Sequence, residues 1–321
     1  MREVTCHNVS EQRISHALED IWGRAFDRWH GLRYDRLSLK SLQEMGDELL
    51  DHVAARALED PTLGAASART VLCTAAECAL GVLSLGAFPD GDFEVPFPLV
   101  DETLSSEDFA FGDAVDLAPN SGTWLDAFAL CLISGAVWER DRAMGLLLRE
   151  DYAPAIRDGV PYSPLESRSD PAGLAEMDAL CGYLTPARGH LPRDWPSVTL
   201  CKPDAEERLG ATRRLDALDA LTPDQQLLRV LLEDDQPAFE RALAGRLVQH
   251  RESAAADAAP RSLLPVGTIA LAALAVQVHG WELRIRSGYL PEGLLRAPEG
   301  APRVGRVGAI TRDSGGEQAL R

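Results

Sequence analysis

The feature that most constrains the fold is a run of 20 residues without formal charge, from Ser262 to Trp281. A segment of this length either crosses a bilayer or lies buried inside a folded domain. Pro265 and Gln277 interrupt the run, and no cluster of basic residues flanks it as a membrane orientation signal would. The sequence therefore favours a buried core helix, and we interpret the apolar residues 63–87 in the same way.

Several other segments show the apolar spacing and the capping residues of helices. Ser10 is a candidate N-cap for a first helix over 14–29, and Ser41 with Glu44 fits a capping box that opens a second helix. Thr222 with Gln225 fits a further capping box, with proline at the first helical position. The remaining helices are expected over 61–87, 124–138, 172–184, 204–219, 223–233 and from 236 onward.

Residues 88–119 break the helical pattern, because apolar and polar or proline residues alternate there as in an extended segment. Pro96 and Pro98 cannot donate ladder hydrogen bonds, so the segment is expected to be an edge strand or an unpaired arm. Phe109 and Phe111 are the expected hairpin partners. A second one-sided strand pattern begins at Trp281.

The sequence thus predicts a mainly α fold with one or two short extended or β-hairpin insertions. A helical bundle and a solenoid-like stack of helix pairs both fit, since no repeat of fixed period decides between them. We expect a single helical domain over 1–296, with a candidate subdivision near 152–203. The glycine-, proline- and arginine-rich residues 297–321 are expected to be a disordered tail.

No motif predicts catalysis or a bound cofactor. Nucleophile elbows, phosphate loops and paired metal-ligand cysteines are absent, and the N-terminus lacks a signal-peptide pattern, so we expect a cytoplasmic protein without metal or cofactor. Glu48 with His52 fits a salt-bridged helix face, and Asp234-Asp235 fits helix capping better than metal binding. His190 and His250 are isolated. We therefore predict that the protein is not an enzyme.

The charge is distributed unevenly along the chain. The net charge is −18, and no lysine or arginine occurs from Thr70 to Glu139, a stretch that holds twelve acids and leaves −6 for the rest. Most of these acids fall in or beside the extended segment. The candidate partner-binding residues are Asp90, Asp92, Glu94, Asp101, Glu102, Glu107, Asp108, Asp113 and Asp116.

Two interpretations of this acidic segment remain open. It is either a solvating surface or an acidic face for a basic protein partner, and a negative potential would repel nucleic acid and anionic membranes while steering such a partner. The interleaved aromatics favour an interface core with a charged rim, or they pin the segment to the domain. These aromatics are Phe93, Phe97, Phe109 and Phe111.

Three ordered stretches resemble the Immunity protein 49 family of bacterial polymorphic-toxin systems. The first runs from Trp124 to Arg142, the second from Leu227 to His250, and the third from Trp281 through Tyr289-Leu290-Pro291 to Leu295. The resemblance implies a mainly helical immunity protein that binds and neutralises a cognate toxin, without active-site residues. The alternatives are a helical scaffold or regulator that binds a housekeeping partner, and an enzyme in the helical core, which a pocket with convergent carboxylates or a His–acid pair would indicate.

Overall fold

The chain is mainly helical, as predicted, in a computed structural model that describes residues 2–108, 114–139, 143–187 and 197–298. π-Helical turns lie at Gly31–Asp35 and Leu147–Tyr152, and a 3-10 turn lies at Pro260–Leu263. The α-helices are α1 (Glu11–Leu18), α2 (Ile21–His30), α3 (Leu39–Glu59), α4 (Ala66–Ala87), α5 (Ser121–Ser134), α6 (Ala136–Glu139), α7 (Ala143–Leu146), α8 (Ala153–Arg157), α9 (Pro171–Cys181), α10 (Ala205–Asp216), α11 (Pro223–Leu232), α12 (Gln236–Ser253), α13 (Val266–Gln277) and α14 (Glu292–Leu295).

Three two-stranded sheets are attached to the helices in the described part of the chain. β2 (Glu94–Phe97) pairs antiparallel with β3 (Glu102–Ser105), and β4 (Leu184–Ala187) pairs antiparallel with β5 (Ser197–Leu200). β1 (Arg2–Val4) pairs in parallel with β6 (Ile285–Ser287), so the two terminal segments meet. The β2–β3 pair and β6 lie in the predicted extended segments, whereas β1 and the β4–β5 pair were not predicted.

The core is built around α4 and α5. α3 packs on α4, α4 on α5, and α5 on α13, while α11 and α12 lie against α13. The 3-10 turn before α13 also returns to α3. α3, α4 and α5 pack in succession, but α5 also packs on α13 and the turn before α13 returns to α3, so the helices surround a shared core as in a bundle rather than a solenoid-like stack.

Two helical segments, Ala66–Ala87 and Pro260–Gln277, are long and apolar enough to span a membrane by length and composition alone. In the folded chain 78% of the apolar window of the first and 67% of that of the second are buried inside the protein. Both segments therefore contact other parts of the fold over most of their surface, as core helices do.

Several predicted helix boundaries are wrong for local reasons. The helix expected over 14–29 is broken at Asp20, whose backbone leaves the helical region and whose carboxylate caps α2 by accepting the Gly23 N–H. The cap of α3 is Ser38, not Ser41. α4 begins at Ala66 because the Asp60 carboxylate accepts the amides of Thr62 and Gly64, which holds a turn there.

The predicted hairpin partner is also wrong. The strand paired with β2 is β3, with Val95 opposite Leu104, and Phe109 and Phe111 lie outside the described residues. The subdivision near 152–203 stays a prediction, although α9 in that stretch packs on both α5 and α11. The predicted tail lies outside the described residues from 299 onward.

Candidate partner-binding surface

The β2–β3 hairpin is fixed on the helical core, which determines where its acids point. Val95, Phe97 and Leu104 are buried on its inner face. The Thr74 hydroxyl of α4 accepts the Leu99 N–H at 3.0 Å and so anchors the hairpin turn. A Cβ on Gly81 would lie 3.1 Å from the Val95 side chain, so a glycine there lets the hairpin approach α4 closely.

The outer face of the hairpin forms one wall of an open cleft of about 510 Å³, here called the acidic cleft. The opposite wall comes from the end of α2 and the following π-helical turn, with Trp29, Arg33 and Tyr34. Five of the nine predicted acids line this cleft. They are Glu94, Asp101, Glu102, Glu107 and Asp108.

One of these five carboxylates is already neutralised. Arg33 donates two hydrogen bonds to Asp108, at 2.6 and 3.1 Å, and this pairing raises the pKa of the guanidinium. The pairing of Asp108 with Arg33 could not be predicted from the sequence, because Arg33 lies far from the acidic segment in the chain. Only the tertiary fold brings the π-helical turn to the hairpin, and we see no local signal that would have shown it.

The other four predicted acids do not line the cleft. Asp92 accepts a hydrogen bond from the Ser106 hydroxyl at 2.6 Å, and Asp90 is exposed near the end of α4. Burial works to raise the pKa of Asp116, but hydrogen bonds from the Ser38 hydroxyl and the Lys40 amide hold it below its usual range. This carboxylate serves the N-terminus of α3, where a negative charge is favourable. Asp113 lies outside the described residues.

The cleft keeps a strong negative charge after its one ion pair is formed. Glu94, Asp101, Glu102 and Glu107 have no ion-pair partner among the described residues. Like charges gathered on one wall repel one another, so a folded chain gains nothing from this cluster by itself. The arrangement fits a surface that is completed by a cationic ligand.

The aromatic residues described beside the cleft include rings that were not expected, while the expected Phe109 and Phe111 lie outside the described residues. Phe97 is fully buried and pins the hairpin to the core, whereas the exposed rings lie on α2 and the π-helical turn. Trp22 on α2 is 52% exposed, and Tyr34 on the π-helical turn is 62% exposed. The spacing of four residues could have revealed this second face. We call the set Trp22, Phe26, His30 and Tyr34 the aromatic stripe.

A small surface chamber bears on the enzyme alternative, because it contains two carboxylates that both reach solvent. The chamber has a volume of about 150 Å³ and is lined by Asp47, Asp126 and mostly apolar side chains. Asp126 is exposed to solvent, and partial desolvation of its carboxyl, with a contribution from Asp47, raises its pKa. Asp47 pairs with Arg261 at 3.4 Å. Small-molecule pockets are usually about 300 Å³ or larger, so this space is small for a substrate site.

A buried His–acid pair is also present, but its partners fix it in the fold. His279 Nδ1 lies 2.9 Å from Asp234, and its Nε2 lies 2.9 Å from the Tyr183 hydroxyl. Burial lowers the pKa of His279 to about 4, so the ring is neutral near pH 7. Asp234 also pairs with Lys202, and Asp235 caps α12. The network joins the α11–α12 turn to the segments around Tyr183 and His279.

The isolated histidines have ordinary partners in the described part of the chain. His52 Nδ1 lies 2.9 Å from the Ala17 carbonyl. Glu48 pairs with Arg24 at 2.8 Å, in agreement with the predicted salt-bridged helix face. His250 Nε2 lies 2.7 Å from the Ser262 carbonyl. His190 lies outside the described residues.

Comparison with known proteins gives one clear result. Neither a search of curated proteins nor a search of solved structures found a match. Residues 60–294 match the family model described as Immunity protein 49. The match covers well over half of the chain and includes the hairpin and the helices from α4 to α13. The chain therefore belongs to the Immunity protein 49 family.

Proposed function

We propose that this protein binds and neutralises a cognate toxin in the cytoplasm of the cell that makes both. The family supports the immunity role, and the acidic cleft supports the contact surface. The single observation that carries the choice of surface is the set of four cleft carboxylates without an ion-pair partner among the described residues. Such a set is costly alone and favourable only when a cationic surface covers it.

The partner proposed on these grounds is a protein toxin with a basic surface. Charged groups at a rim mainly increase the association rate and exclude wrong partners. The same negative potential disfavours nucleic acid and anionic lipid as ligands, because both carry negative charge. The proposal therefore includes neither a membrane nor a nucleic-acid partner.

The first prediction concerns protection in cells. Co-expression with the toxin encoded beside this gene should restore growth, and changing Glu94, Asp101, Glu102 and Glu107 to Lys should abolish most of that protection. The reason is that the variant replaces four attractive charges by four repulsive ones. The control variant carries the same number of reversals at exposed acids on other elements, namely Asp158, Glu166, Asp219 and Glu252.

Three outcomes separate the hypotheses. Protection lost in the cleft variant and kept in the control supports the acidic cleft. Equal protection by both variants means that immunity uses another surface. No protection by the wild type contradicts toxin neutralisation and favours the scaffold alternative, in which a housekeeping partner binds the helical domain.

The surface chamber of Asp47 and Asp126 provides the second prediction, which tests the enzyme alternative. We propose a structural role for its two acids, so the double variant Asp47→Asn and Asp126→Asn should protect cells as well as the wild type does. Amides of similar shape keep the packing and remove any acid–base chemistry. Folding is checked by circular dichroism. A folded variant that no longer protects would argue for chemistry in the chamber.

A further inference from the structure

We propose that the aromatic stripe and the acidic cleft together form one binding site for an arginine-bearing segment of the partner protein. The inference deepens the proposed function and rests on it, since the partner is the toxin. It adds α2 to the contact surface and specifies the chemistry of the recognised group, which is a guanidinium together with its neighbouring backbone carbonyl.

Ring contacts connect the stripe to the cleft without a break. The rings of Trp22 and Phe26 stack with centroids 5.4 Å apart, and Phe26 lies 5.4 Å from Trp29. His30 lies 4.6 Å from Tyr34, and Trp29 lies 6.1 Å from Tyr34. The series runs from an exposed tryptophan to the wall of the cleft. Exposed aromatics of this kind are typical of the most important residues in protein interfaces.

The protein's own Arg33 shows that the cleft accommodates a guanidinium. Its Cζ lies 6.0 Å from the centroid of Trp29 and 5.6 Å from that of Tyr34, while Asp108 binds its nitrogens. This combination of ring faces and a carboxylate is the environment that guanidinium prefers over ammonium. Because further carboxylates in the cleft have no cation among the described residues, a second arginine would find the same two kinds of contact.

The indole of Trp29 gives a second and independent indication of a ligand. Trp29 is 5% exposed and lines the cleft, and its Nε1–H has no hydrogen-bond partner among the described residues. Buried donors are nearly always paired in folded proteins, and this one belongs to a residue of the cleft wall but is itself covered, so we assign its acceptor to a partner that shifts the wall as it binds. A backbone carbonyl beside the bound arginine is such an acceptor, and the surrounding carboxylates would repel an anionic one.

Two cations on α2 beside the stripe are already paired with acids. Arg28 on α2 is held by Glu44 and Glu48, at 3.4 and 3.3 Å, and Arg24 is held by Glu48. The family match begins at residue 60, so the hairpin lies inside the matched region and the stripe lies before it. The site therefore combines a surface of the family region with one from the preceding helices.

The test uses the full-length protein and two probes. The first is a short acetylated peptide in which arginine alternates with glycine, compared with the lysine and glutamate versions. The measurement is the ¹H–¹⁵N resonance of the Trp29 indole, assigned with Trp29→Phe. We expect the arginine peptide to shift it, the lysine peptide to do so more weakly, and the glutamate peptide to have no effect.

The second probe is the toxin encoded beside this gene, titrated by calorimetry. The double variant Trp22→Ala and Tyr34→Ala should raise Kd by about 30-fold or more, as loss of interface aromatics commonly does. The control, Tyr162→Ala with Leu209→Ala, removes equally exposed apolar side chains elsewhere and should leave Kd unchanged. Both affected side chains are exposed, so the fold should not depend on them.

The outcomes distinguish this proposal from the proposed function. If the wild type binds the toxin and the stripe variant binds it equally well, the site is wrong and the function stands. If the wild type does not bind the toxin, the proposed function fails, and the peptide titration alone decides whether the site takes arginine. A Trp29 resonance that the arginine peptide leaves unmoved overturns the site.

Discussion

At the scale of single residues, one partly buried acid between two helices contributes to the response of the fold to pH. Glu176 on α9 is hydrogen-bonded to Gln225 on α11, and burial raises the pKa of its carboxyl to about 7. A raised carboxyl pKa means that the folded chain holds this proton more tightly than the unfolded chain does. The contribution of this carboxyl to stability is therefore greatest below the unfolded value near 4.5 and falls as pH rises toward 7.

The third prediction follows from this sign. Glu176→Gln should stabilise the protein at pH 8, by up to about 3 kcal/mol, and should change little at pH 4, because the amide never ionises. Unfolding by urea at both pH values measures the difference, with the exposed Glu252→Gln as control. Equal effects of Glu176→Gln at pH 4 and pH 8 would show that its carboxyl titrates normally.

At this scale, the sequence predicted some helix caps correctly and others wrongly. The capping box of Thr222 and Gln225 is confirmed, because both of its hydrogen bonds are local. Ser41 looked equally good as a cap, but Ser38 takes that role and its hydroxyl also donates to Asp116, 78 residues away in the chain. Ser38 and Ser41 are both candidate caps of α3, and the carboxylate of Asp116 favours Ser38. Local spacing cannot show the effect of a residue so far away in the chain.

At the scale of elements, the terminal segments are joined by a polar cluster beside the β1–β6 pair. The Tyr289 hydroxyl accepts the His7 backbone N–H at 2.8 Å and lies 2.6 Å from His7 Nδ1. His7 Nε2 lies 2.8 Å from the Ser262 hydroxyl before α13. Tyr289 is fully buried, so these bonds connect the N-terminal strand to the end of the bundle away from water.

The fourth prediction tests that connection. Tyr289→Phe removes both hydrogen bonds and keeps the ring, so the free energy of unfolding should fall by about 1–2 kcal/mol. The exposed Tyr162→Phe is the matched control and should have no effect. Urea midpoints measure both variants. A Tyr289→Phe midpoint equal to that of the wild type would mean that the cluster adds nothing to stability.

The β2–β3 hairpin was predicted only in part, since its first strand was expected and its second was not. Alternation of Val95 and Phe97 correctly predicted an extended segment with one buried face. The partner strand was missed because the Thr74 hydroxyl and the short turn after Phe97 bring Glu102 directly opposite, ahead of the aromatic pair farther along the chain. The opposite wall of the cleft was missed because Arg33 approaches through the tertiary fold alone.

At the scale of the whole molecule, the fold gathers much of the uneven negative charge in the acidic cleft. Five acids of the stretch without basic residues meet Arg33, Trp29 and Tyr34 in one cleft, and the family assigns the chain to immunity proteins. The composition could predict an acidic binder and the family resemblance could predict its role. The proposed place of contact could be identified only from the fold, because α2 and the hairpin lie about 70 residues apart in the chain.

The most direct test is hydrogen–deuterium exchange of the protein alone and in complex with the toxin encoded beside its gene. The fifth prediction is that binding slows exchange in residues 21–35 and 94–108, and that exchange over α10 and α12 changes little. Slowing in both segments would place the toxin on the acidic cleft and the aromatic stripe. Slowing confined to α9–α12, with 21–35 and 94–108 unchanged, would contradict the account.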